Sequence, residues 1–109
     1  MNAIWFKEYA IDYLEGLRNA NMGEHIGIQF TELGADYLKG RMPVDKRTTQ
    51  PFGILHGGAS CVLSETLGSV AGWMTIDPEK YRAVGLELNI NHIRAATKGY
   101  VIGVCTPLH

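Results

Sequence analysis

Between Gly57 and Met74 the chain has a single ionisable carboxylate or amine, Glu65, set among Ala59, Cys61, Val62, Leu63, Leu67, Val70, Ala71 and Trp73. So long a stretch with one charge reads as a mostly buried helix. Ile76-Asp77-Pro78 ends it, because proline cannot continue a helix and restricts the residue before it. Upstream, residues 5–20 pattern as an amphipathic helix, with Tyr9, Tyr13, Leu14 and Leu17 near one stripe and Lys7, Glu8, Asp12 and Glu15 off it. Ile26, Ile28 and Phe30 alternate through a strand at 26–33. Leu38, Met42 and Val44 lie opposite Lys39 and Arg41 in a second strand at 37–45, and Gly34-Ala35-Asp36 is the turn of the hairpin they form.

Beyond the long helix, residues 82–94 give the clearest strand pattern. Val84, Leu86, Leu88, Ile90 and His92 share one face, while Glu87, Asn89 and Asn91 point the other way. Residues 100–106, YVIGVCT, are apolar on both faces, which predicts a central or interface strand paired in a hairpin with 82–94. The order helix, strand, strand, long helix, strand, strand predicts an α+β fold with an antiparallel sheet, rather than alternating βαβ units. Residues 1–109 are expected to form a single domain.

Composition narrows the function classes. A net charge of −1 gives no electrostatic attraction to nucleic acid or anionic lipid. No run approaches the roughly 20 apolar residues of a membrane helix, and Lys7, Glu8 and Asp12 interrupt any signal-peptide core, so a cytoplasmic protein is expected. Cys61 and Cys105 form no CxxC and read as free thiols. His25, His56, His92 and His109 lack metal-ligand spacing.

The candidate chemistry lies in Gln50-Pro51-Phe52-Gly53-Ile54-Leu55-His56-Gly57-Gly58 and the helix that follows. A Gly-Gly pair at a helix start leaves backbone N–H groups with no side chain in front of them, at the positive end of the helix dipole. Such a place holds a phosphate or polarises a carbonyl as an oxyanion hole does. Gln50 can add an amide donor if its loop folds back. Glu65 and Ser69 are four residues apart and share a helix face, so a carboxylate there can serve as general base or nucleophile. Each residue also has a plain structural reading. A helical Glu is usually just solvated, His56 can be a cap or loop brace, and His92 can be a hydrogen-bonded core residue. Ser60, Ser64, Gly68 and Gly72 recur every four residues, a spacing that helix-on-sheet packing within one subunit is enough to explain.

The stretch MPVDKRTTQPFGILHGGASCVLSETLGSVAG, followed by VGLELNINHIRAA, resembles the hotdog-fold acyl-CoA thioesterases of the PaaI and 4-hydroxybenzoyl-CoA group, and within it the enzymes acting on 1,4-dihydroxy-2-naphthoyl-CoA. The resemblance implies an antiparallel sheet wrapped around the central helix and hydrolysis of aromatic acyl-CoA thioesters without cofactor or metal. It implies that Gln50 and the Gly57 N–H hold the thioester carbonyl, with Gly58 beside them, and that Glu65 attacks it or activates water. His56 would orient Gln50 and the leaving-group region, while Ser69 and His92 would contact the acyl group or position water. It further implies a homodimer or homotetramer whose site takes Glu65 from one subunit and Gln50 and Gly57 from the other. Such domains carry two further strands after the position of Thr106-Pro107-Leu108-His109, so a chain truncated at its C-terminus is expected. The competing reading is a non-catalytic acyl-CoA-binding module or an inactive fragment. Against it stands the intact set of Gln50, His56, Glu65 and Ser69.

Overall fold

The computed structural model describes residues 2–17, 19–89 and 94–108. Two short helices, α1 (Ile11–Leu17) and α2 (Met22–His25), lead into strands β1 (Gln29–Leu33) and β2 (Leu38–Pro43). The long helix α3 (Gly57–Met74) follows, and then strand β3 (Tyr100–Cys105). The sheet among these residues is antiparallel in the order β1-β2-β3.

Helix α3 has the bounds the charge pattern predicts. Leu63, Leu67, Ala71 and Met74 are buried at the i, i+4, i+8, i+11 spacing of one helix face and pack with Phe30, Leu38 and Met42 of the sheet. Two glycines make this contact close. Gly40 of β2 lies directly across from Gly103 of β3, and a methyl group on either would fall 2.9 Å or 2.6 Å from a Leu67 methyl carbon. Leu67 thus fills a slot that two missing side chains open in the sheet.

Four expectations are corrected. The first helix does not extend over 5–20. Residues 4–6 donate their backbone bonds elsewhere, Ile4 N–H to Ala35 O at 2.9 Å and Phe6 N–H to Met74 O at 2.8 Å, which ties the segment to the hairpin turn and to the end of α3. Residues 82–89 are exposed and form no strand, while 90–93 of that expected strand lie outside the described residues. β3 pairs with β2 from Leu38↔Cys105 to Pro43↔Tyr100, not with residues 82–89, and so among the described residues it occupies a sheet edge rather than the centre. Its apolar character on both faces leaves Tyr100, Ile102 and Val104 exposed. Finally, the small-residue stripe of α3 does not pack on the sheet. A side chain at Gly68 would meet nothing within 4 Å, and Ser64 is exposed.

Candidate active site

The loop before α3 is cross-tied along its length. Thr48 is 2% exposed. Its hydroxyl donates to Pro43 O at 2.7 Å and accepts from Asp45 N–H at 3.1 Å, and its carbonyl accepts from His56 N–H at 2.8 Å. Thr49 and Leu55 form an antiparallel bridge closed by Pro51-Phe52-Gly53, with Gly53 at φ +83°, where a side chain would be strained. The Gln50 carbonyl accepts from Gly53 N–H at 2.9 Å, and its side-chain Oε1 accepts from Phe52 N–H. With Oε1 engaged, the Gln50 Nε2 is left as a donor.

His56 is the N-cap of α3, in extended backbone conformation, and its Nδ1 accepts from Gly58 N–H at 2.7 Å. That bond needs the lone pair on Nδ1, which places the proton of a neutral ring on Nε2. It also takes up the Gly58 N–H, so Gly58 is not the free donor of the pair. The Gly57 N–H has no acceptor among the described residues and points from the positive end of an 18-residue helix whose first turn lacks acidic residues. Gln50 and Gly57 line one cavity of about 370 Å³, together with Ile54, Leu55, Ser60 and Arg94. Among the described residues His56 makes no bond to Gln50; its side chain bonds the helix start and its N–H the Thr48 carbonyl.

Glu65 lies elsewhere. Eight residues further along α3, it stands roughly 12 Å up the helix axis from Gly57. It lines a second cavity, of about 350 Å³, with Ser69 and with Leu17, Met22, Phe30, Val62 and Val70. The Ser69 hydroxyl donates to Glu65 Oε1 at 3.0 Å, as their i, i+4 spacing predicts. Glu65 is exposed rather than buried with its helix. Residues 81–89 pass over it so closely that a methyl group on Gly85 would fall 2.1 Å from Glu65 Oε1. The structure thus brings Gln50 to Gly57, and Ser69 to Glu65, but does not bring the two pairs together within one chain. His92 lies outside the described residues.

Sequence reasoning missed Arg94 in the first cavity and the α1–α2 corner in the second. The corner had a signal, Asn21 followed three residues later by Glu24, the spacing of a helix start. No group of three or more His, Cys, Asp or Glu among the described residues could hold a metal, and no helix among them is long and apolar enough to cross a membrane.

Residues 52–109 match the thioesterase superfamily. Over 106 residues the chain is 49% identical to the 1,4-dihydroxy-2-naphthoyl-CoA hydrolase of Escherichia coli, covering 97% of this chain and 77% of that protein. It is 48% identical to the proofreading thioesterase EntH of Cronobacter turicensis, with the same coverage. Among solved structures, a glutamine-to-alanine mutant of a Pseudomonas aeruginosa thioesterase superposes with a TM-score of 0.95 at 40% identity, over 98% of this chain and 77% of that one. A Haemophilus influenzae thioesterase superposes at 0.92 and 40%, over 97% and 73%.

Proposed function

This chain belongs to the thioesterase superfamily and is a thioester hydrolase, and we propose that it splits aromatic acyl-CoA thioesters into the free acid and CoA. The observation that carries the reading is the unpaired Gly57 N–H at the positive end of α3, in one cavity with the Gln50 amide. Two donors there would polarise a thioester carbonyl and hold the negative charge that develops on its oxygen.

Glu65 supplies the other half, as general base or as nucleophile. As a base it takes a proton from water, whose oxygen adds to the carbonyl carbon. The C–S bond then breaks, and CoA leaves as a thiolate that takes up a proton. As a nucleophile it adds to the carbonyl itself and expels the thiolate, and water then cleaves the resulting anhydride. The Ser69 hydroxyl engages Oε1 and leaves Oε2 for this work.

In one chain Glu65 and Gly57 face different cavities, so the complete site takes Gln50 and Gly57 from one copy and Glu65 from a second. The uncovered stripe of Ser64 and Gly68 beside Glu65 supports close approach of that second copy. Such a homodimer, alone or doubled into a tetramer, would have isologous contacts that build both sites at once. His56 fixes the start of α3, and His92 is proposed to contact the acyl group.

Thiol release from benzoyl-CoA, followed with a thiol-reactive dye, tests the activity. Turnover that saturates with substrate is expected. Binding of benzoyl-CoA with no thiol released would favour an acyl-CoA-binding module instead.

A further inference from the structure

The cavity beside Glu65 has walls that the chemistry of thioester cleavage does not itself require. Phe30 of β1, 3% exposed, lines it. So do Val62 and Val70 of α3, and Leu17 and Met22 of the α1–α2 corner. The corner is held firmly. Asn21 Nδ2 donates to Leu17 O at 2.6 Å, and its Oδ1 accepts from Gly23 N–H at 3.0 Å. Glu24 Oε2 accepts from Ala20 N–H at 2.9 Å, and Ala20 itself has a φ of +61°, uncommon for a residue with a side chain. α1 is anchored in turn by Leu14, fully buried, and by Tyr13 stacked on Trp73 of α3, with ring centres 6.4 Å apart. On this fixed frame Met22 is 62% exposed. It is an unbranched thioether at the rim of the cavity, with three rotatable bonds and no hydrogen bond to hold it.

We propose that the α1–α2 corner is the outer wall of the acyl subsite and that Met22 sets the largest acyl group the subsite admits. The inference rests on the reading of Glu65 as the carboxylate that acts at the thioester. A volume of about 350 Å³ suits a small apolar group, near the lower end of ligand pockets. Glu65 is the one ionisable side chain among the described residues of the lining, so the subsite takes uncharged aromatic acyl groups and repels an acyl group bearing its own carboxylate.

The test measures kcat/KM for thiol release from benzoyl-CoA, 2-naphthoyl-CoA and succinyl-CoA with the parent, Met22→Ala and Met22→Trp. Met22→Ala is expected to raise the naphthoyl-to-benzoyl ratio about tenfold, and Met22→Trp to lower it by a similar factor. Succinyl-CoA is expected to be the poorest substrate of all three proteins. Thermal unfolding is recorded alongside, and should Met22→Trp fail to fold, Met22→Ala decides alone. Unchanged ratios in an active enzyme would overturn the inference and leave the proposed function standing. A parent that released thiol from none of the three would overturn both.

Discussion

At the loop before α3 the polar groups are main-chain atoms and one amide pinned by their neighbours, whereas at Glu65 the group proposed to react is the tip of an exposed side chain held by one hydrogen bond. Thr48, the Thr49–Leu55 bridge and the His56 cap fix the direction of the Gly57 N–H before any substrate arrives. Among the described residues nothing comparable fixes Glu65. Ser69 holds one oxygen, and the chain that crosses it at Gly85 is unpaired and exposed. The difference matches the two tasks. Stabilising charge in a transition state needs donors already in place, while a base or nucleophile must approach the carbon it acts on.

The largest effect follows from removing the carboxylate. Glu65→Gln should lower kcat at least about 100-fold while leaving thermal unfolding near that of the parent, because the side chain is exposed. Near-parental turnover would remove Glu65 from the chemistry. On the fixed half, Thr48→Val should cost about 1–3 kcal/mol in urea unfolding, since it takes the partner from the buried Pro43 carbonyl and from the part-buried Asp45 N–H. A stability equal to the parent's would show that the loop is not held through Thr48.

Gly85→Ala sharpens the comparison from the other side. The new methyl group would collide with Oε1 and push the carboxylate from its Ser69 bond, so kcat should fall about tenfold with little change in stability. Unchanged kcat would mean that residues 81–89 do not constrain Glu65 during turnover.

The smallest effect concerns the ion pair at the foot of the loop. Hydrogen bonds from the Arg47 side chain and N–H hold the Asp45 carboxyl below its usual value. A carboxyl whose folded pKa is depressed contributes stability above its unfolded value, and that contribution is lost as pH falls through the folded value. Asp45→Asn should therefore be less stable than the parent at pH 7, with the gap closing as the solution is acidified below the ordinary aspartate value of 3.8. A gap constant down to low pH would rule out the charge as its source.

What could be read from the sequence divides along similar lines. α3 was legible from Gly57 to Met74 because one charge in a long apolar stretch, closed by Pro78, is a local signal. The β1–β2 hairpin was legible from alternation on either side of Gly34, although its strands are shorter than 26–33 and 37–45. Residues 82–89 were misread for a reason alternation cannot reveal. A strand needs a neighbour's backbone groups; β3 is joined to β2 along one edge, and 82–89 do not dock on its other edge, so Val84 and Leu86 are exposed instead of paired. Of the candidate site, the Gln50–Gly58 loop at the start of α3 and the Glu65–Ser69 pair on one helix face were legible. That His56 would engage Gly58 and leave Gly57 free depends on cap geometry, which residue order alone does not fix.

The central claim is that two copies complete one site, and the most direct test mixes two variants. Gln50→Ala and Glu65→Gln, each refolded alone, should be nearly inactive. Refolded together at equal concentration, they form hybrid dimers in which one of the two sites has both its intact Gln50 and its intact Glu65. About half the dimers should be hybrids, restoring roughly a quarter of the parental activity. A mixture no more active than the mean of the two variants would contradict the shared site.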